Sequence, residues 1–232
     1  MYNKIKNEIS KVANKKRADI SSSFFKTGKG EYGEGDVFLG VRVPVLRQIA
    51  QKCKEASFED LEKLLNTNFH EYRFIALVVL INKYRKADDS GKKKIYNFYL
   101  KNLGNINNWD LVDISAPHIP GNYLKDRNKD VLYKLAKSRD LWSRRVAIIS
   151  TFSFIRENDF KDCLKISEIL LDDKEDLIHK AIGWMLREVG NRDLKIEEDF
   201  LKKHYKKIPR TTLRYAIEKF EEDKRQEYLK MN

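Results

Sequence analysis

The segments "YRFIALVVL", "RRVAIISTF", "IHKAIGWML" and "LRYAIEKF" each set a small alanine ahead of an aliphatic residue, at Ala76, Ala147, Ala181 and Ala216. The separations are 71, 34 and 35 residues, so a further copy is expected near Val112, inside "NNWDLVDISAPHIPG". A period of about 35 residues is the signature of stacked helix pairs, in which each repeat buries its apolar face against its neighbours. The local pattern agrees. In "FEDLEKLLNTNFHEYRFIALVVLINKYRKA" aliphatic residues recur at three- and four-residue spacing, and no segment of useful length alternates at period two. Only 4 prolines and 10 glycines interrupt the chain. The expected fold is all-α, an α-solenoid of HEAT-like helix-pair repeats with a concave basic groove, forming a single domain over residues 1–232. Helix starts are expected at Ser57, at Asp89 and Ser90, and at Pro209. Pro117 is expected to end the helix before it and turn the chain sharply, because a proline disfavours helical geometry at the preceding residue.

The repeat frame singles out one residue. One step after the alanine slot stand Leu77, Asp113, Ile148, Ile182 and Ile217. A carboxylate therefore occupies a slot that four other copies fill with aliphatic side chains. A buried carboxylate must be paired, protonated or facing a groove. Trp109 lies four residues before Asp113, on the same helix face. A cap or an ion pair with Arg144 or Arg145 would account for Asp113 structurally, and core packing accounts for Trp109 or Trp184 taken singly. A carboxylate between aromatic faces also favours a cation, which it attracts by charge and the rings by their quadrupoles.

The charge suggests where such a cation would arise. Lys plus Arg number 47 against 35 Asp plus Glu, a net charge of +12. That excess points to a polyanionic partner, nucleic acid first and an anionic membrane surface second. When a glycosidic bond in DNA breaks, the departing sugar passes through an oxocarbenium-like state. Asp113 could stabilise that charge and position a water.

Other motifs carry less. Gly28, Gly30 and Gly33 in "TGKGEYGEGD" have G-x-G-x-x-G spacing but follow a helical segment, so a glycine-rich turn is expected, one whose amides could approach a phosphate. The four histidines, His70, His118, His179 and His204, show no metal-ligand spacing, so neither metal nor cofactor is expected. Cys53 and Cys163 fit no CxxC pattern and read as buried free thiols in a reducing compartment. The amino-terminal residues lack the apolar core of a signal peptide and no apolar run reaches membrane-span length, so a cytoplasmic protein is expected.

"FFKTGKGEYGEGDVFLGVRVPVLRQIA", "NNWDLVDISAPHIPG", "DLWSRRVAIIST" and "PRTTLRYAIEKF" resemble, in order and spacing, the bacterial DNA alkylation repair proteins of the AlkD type, over about residues 20 to 220. The resemblance implies a monomeric glycosylase that excises cationic N3- and N7-alkylated purines from double-stranded DNA without drawing the base into a deep pocket. It implies that Trp109 and Trp184 lie against the lesion's sugar, that Asp113 acts beside them, and that an arginine supports DNA binding. That arginine is Arg145, with Arg144 as the alternative; Lys180 and Arg214 complete the candidate DNA contacts. A non-catalytic DNA-binding repeat protein and a protein-interaction scaffold are the competing readings.

Overall fold

The computed structural model describes residues 1–230. Those residues form helices joined by turns, with one isolated parallel bridge between Val37 and Phe69 and no strand. The chain divides into two compact units, Met1–Ser115 and Ala116–Asn232.

The first unit contains α1 (Tyr2–Ser10), α2 (Lys15–Phe24), α3 (Val43–Lys52), α4 (Phe58–Leu65), α5 (His70–Lys86), α6 (Asp89–Lys101) and α7 (Trp109–Ser115). Helix α5 is its axis: every residue from His70 to Ile81 is buried, and α3, α4, α6 and α7 pack around it. That stretch has no solvent face, and its polar residues must find partners inside the fold. Ser57 caps α4 in a full capping box with Asp60. The cap of α6 is Asp88, one residue ahead of the expected Asp89 and Ser90. Its extended backbone lets the carboxylate reach the Gly91 amide at 2.8 Å, while Asp89 sits in the first turn.

Residues 25–42 form no helix, and a buried carboxylate organises them. Glu71, 2% exposed, accepts from the amides of Leu39 (3.0 Å), Gly40 (2.8 Å) and Val41 (3.3 Å). Gly40 holds φ at +72°, and a Cβ there would lie 2.2 Å from the Asn14 carbonyl. Only glycine fits that bend.

The second unit opens with a π-helical turn, Pro117–Gly121. It continues with α8 (Asn122–Leu124), α9 (Asp130–Ala136), α10 (Leu141–Ser150), α11 (Phe152–Ile155), α12 (Lys161–Leu170), α13 (Asp176–Gly190), α14 (Leu194–His204), α15 (Arg210–Ala216) and α16 (Glu222–Lys230). The sharp turn expected at Pro117 is not formed. Ala116 is in the right-handed helical region (φ −60°, ψ −43°), and the wider π turn closes with the Gly121 amide on the Ala116 carbonyl at 2.8 Å. The proline's preference is a bias that tertiary packing overrides here. Helix α15 begins directly after Pro209, as expected.

The period is visible in three dimensions. Ala76, Val112, Ala147, Ala181 and Ala216 fall on α5, α7, α10, α13 and α15, and each is at most 1% exposed. The copy inferred at Val112 occupies the same kind of buried slot as the alanines. Within the second unit α13 packs closely on α15, and the contact needs a residue without a side chain. A Cβ on Gly183 would meet the Thr212 carbonyl and the Tyr215 Cβ, both at 2.5 Å. Backbone cannot give way as a flexible side chain can. Gly183→Ala is therefore expected to destabilise the protein by about 1–3 kcal/mol in urea unfolding, and an unchanged midpoint would show that the two helices separate freely.

Candidate functional site

Helix α7 carries Trp109 at its first residue and Asp113 one turn later, both half-buried. The four residues that share Asp113's place in the repeat, Leu77, Ile148, Ile182 and Ile217, are completely buried. The aliphatic slot has thus become, in one copy only, a partly open position with a carboxylate.

Trp109 stands in an aromatic corner. Phe25 stacks on the indole (centroids 5.3 Å apart, planes 14° apart) and Phe24 meets it edge-on at 6.1 Å. Phe24 is 65% exposed, so one wall of the corner faces solvent. Phe25 in turn stacks on Phe38 at 4.9 Å, and both rings pack against the imidazole of His70 at 4.9 and 4.6 Å.

His70 is the first residue of α5 and is 3% exposed. Its Nδ1 lies 3.3 Å from Asp36 Oδ2 and its Nε2 lies 2.8 Å from Asp110 Oδ2. Each nitrogen faces a carboxylate oxygen, which accepts only, so both must donate and the ring is an imidazolium. Asp36 also pairs with Arg73 (2.6 Å to Oδ1) and accepts from Asn108 Nδ2 at 3.1 Å. Arg73 donates to Asn107 Oδ1. Burial alone would pull the imidazole's pKa down, but the charge and hydrogen bond of Asp110, then the hydrogen bond of Asp36, outweigh burial and the opposing Arg73. The group is pushed up to about 9. Burial likewise raises Asp36, and His70, Arg73 and Asn108 more than reverse it, leaving the carboxyl below its ordinary value.

The remaining candidates lie in the second unit. Trp184, half-buried on α13, donates from Nε1 to Glu188 Oε1 at 3.0 Å and packs on Phe152 at 5.8 Å, whose other neighbour is the guanidinium of Arg156 at 4.5 Å. Arg145 is 5% exposed and donates to the Leu177 carbonyl. Arg144 forks onto Asp173 (2.6 and 3.2 Å) and also donates to the carbonyls of Ser138 and Arg139. Lys180 pairs with Asp176 at 2.8 Å along α13, and Arg214 projects exposed from α15.

In the glycine-rich turn the amides available to a phosphate are already engaged. Gly28 and Gly30 donate, each at 2.8 Å, to Glu31 and Glu34 of the same loop. Both cysteines are free and buried, and burial pushes the Cys163 thiol up to about 12. Among the described residues no three His, Cys, Asp or Glu side chains gather as a metal site, and no helix is long and apolar enough to cross a membrane.

Sequence reasoning missed Phe24, Phe25, Phe38, Asp36, His70 and Asp110. The available signal was the run "HEYR" at the start of the most apolar segment, four ionisable residues about to enter a core.

The fold is an all-α helical repeat in which Trp109 and Asp113 lie half-buried on one face of a short helix. The chain matches the model of the DNA alkylation repair enzyme family over residues 5–220, and it belongs to that family. Its role is in repair of alkylated DNA, with DNA as the substrate. A solved structure described as a predicted DNA alkylation repair enzyme from Enterococcus faecalis superposes with a TM-score of 0.68 at 17% identity, covering 90% of this chain and 97% of that one. At that identity the likeness concerns the fold. No curated protein matches the chain.

The imidazolium carries a consequence for stability. Its folded pKa lies above the ordinary 6.5, so the stabilisation from its charge is complete below about 6.5 and is lost as pH rises through about 9. Urea midpoints are expected to fall between neutral pH and pH 10 as His70 titrates. A profile flat across that range would mean that the ring is neutral in the fold.

Proposed function

We propose that the protein is a monofunctional DNA glycosylase. It hydrolyses the N-glycosidic bond of cationic N3- and N7-alkylated purines, 3-methyladenine and 7-methylguanine among them, in double-stranded DNA. It acts in the cytoplasm, as a monomer, without a cofactor or metal, and without a deep pocket for the base. The observation that carries this reading is Asp113, a half-buried carboxylate where four sister repeats bury aliphatic side chains, one turn from Trp109 in its aromatic corner.

The chemistry follows from the charge of the lesion. An N3- or N7-alkylated purine is already cationic and departs as a neutral base, so the leaving group needs no proton. As the bond from C1′ to nitrogen breaks, its electron pair goes to the base and positive charge passes to the sugar. Asp113 stabilises that charge and accepts the proton of a water that attacks C1′. Trp109 and Trp184 pack on the sugar, where indole faces favour a cation. Arg145 is assigned to the DNA side, with Lys180 and Arg214, and Arg144, which forks onto Asp173, is the alternative. Neutral lesions such as uracil and hypoxanthine fall outside this mechanism, because their departure needs a general acid. The attacking group is water and not an amine, so the strand is left uncut, and a borohydride-trapped covalent adduct would overturn this.

The deciding measurement is release of 7-methylguanine and 3-methyladenine from methylated duplex DNA by the wild type and by Asp113→Asn, with duplex binding measured on the same preparations. Release is expected to fall about 100-fold or more in the variant while binding holds. Binding without release by the wild type would make this a non-catalytic DNA-binding repeat protein. DNA binding that is weak and indifferent to salt would point instead to a protein-interaction scaffold.

A further inference from the structure

Trp109 is bracketed by anchored neighbours. Asn107 accepts from Arg73, Asn108 donates to Asp36 at 3.1 Å, and Asp110 accepts from His70 at 2.8 Å. Each of these ties runs to α5 or to Asp36, and Asp36 is itself held by α5 through Arg73 and His70. Asn108 also accepts from the Trp109 amide at 2.8 Å, so the first turn of α7 is fixed on both sides of the indole. The Asp110 carboxylate has one hydrogen-bonded anchor. Its Oδ1 is buried without a hydrogen-bond partner, and its Oδ2 meets His70. An α-helix of seven residues has little stability of its own, so where α7 points is decided by these bonds and by packing.

We propose that His70 is a positioning residue: by donating from one ring nitrogen to Asp36 and from the other to Asp110, it locks the start of α7 onto α5 and holds Trp109 and Asp113 in register for the lesion. It touches neither substrate nor reacting atoms. Loss of one ring proton must release one of the two carboxylates, because a neutral imidazole has a single N–H. The groups facing the ring are Asp36 from the 25–42 segment, Asp110 from α7 and Arg73 from its own helix, with Phe25 and Phe38 against its faces. Asp110 is the partner that lies on α7 itself, so its release loosens the first turn of that helix. The effect on rate rests on the glycosylase reading, whereas the effect on Trp109 does not.

The test uses full-length protein labelled with 5-fluorotryptophan, the Trp109 fluorine signal being assigned with Trp109→Phe. Wild type, Asp110→Asn and His70→Gln are titrated from about pH 6 to about pH 10.5, bracketing the range in which a raised histidine changes charge. In the wild type the Trp109 signal is expected to move with a midpoint of about 9, while Trp142 and Trp184 stay still at that midpoint. In Asp110→Asn, which keeps an acceptor for Nε2 but drops the charge, the midpoint should fall by about one unit or more. In His70→Gln the transition should vanish. A Trp109 signal that stays still while His70 itself titrates, or a midpoint indifferent to Asp110→Asn, overturns the proposal, and the Asp110→Asn arm decides it even if His70→Gln does not fold. Single-turnover excision should lose rate at the same midpoints with duplex affinity unchanged. If wild type excises nothing, the glycosylase reading fails and the fluorine signal still settles whether His70 positions Trp109.

Discussion

An imidazolium buried between two carboxylates is the interaction on which the first unit depends. His70 and Arg73 enter the core on the most buried helix, and each brings a positive charge that cannot be left alone there. Asp36 answers both, Asp110 answers one, and the amides of Asn107 and Asn108 complete the network. The contrast with Glu197 is instructive. That side chain is 1% exposed with an unpartnered Oε1, and burial pushes it up to about 9, so it remains a neutral acid at physiological pH. Asp36 is also deeply buried but stays ionised because its partners are cations and donors. The same burial yields opposite charge states, and the difference lies in the neighbours.

The two carboxylates on α7 divide the work between architecture and chemistry. Asp110 faces inward to α5, and Asp113, three residues on, occupies the partly open slot. An i, i+3 pair lies on neighbouring faces of a helix, so seven residues suffice to carry both an anchor and a reactive group. Replacing an aliphatic residue by Asp113 forgoes the burial that its sister repeats enjoy, about 1.5–3 kcal/mol for a fully buried Leu or Ile. The surrounding ties give α7 a means of bearing that loss.

Much of this was legible in the sequence because it is periodic. The alanine slots, the missing copy at Val112 and the anomaly of Asp113 all follow from spacing, and spacing reports which side chains share a helix face. What periodicity cannot report is contact between segments far apart in the chain. Asp36 and Asn108 are 72 positions apart and His70 and Asp110 are 40 apart, and no repeat connects them. His70 in particular was weighed only as a metal ligand, since ligand spacing is a pattern that a sequence displays and charge compensation in a core is not. The π turn at Pro117 and the cap at Asp88 escaped for a related reason, a local preference yielding to packing or shifting by one residue.

The segment 25–42 has no helix of its own, and its course is set by Glu71, some thirty positions further along the chain. A stretch ordered by long-range bonds from another element can adopt its path only after that element exists, and it can let go while that element persists. Phe25 and Phe38 belong to this stretch and wall the Trp109 corner. The corner is therefore the least autonomous part of the first unit, a flap of irregular chain laid over a rigid axis. Asp36 belongs to the same stretch, so parting that wall from Trp109 would also take from His70 and Arg73 the carboxylate they share.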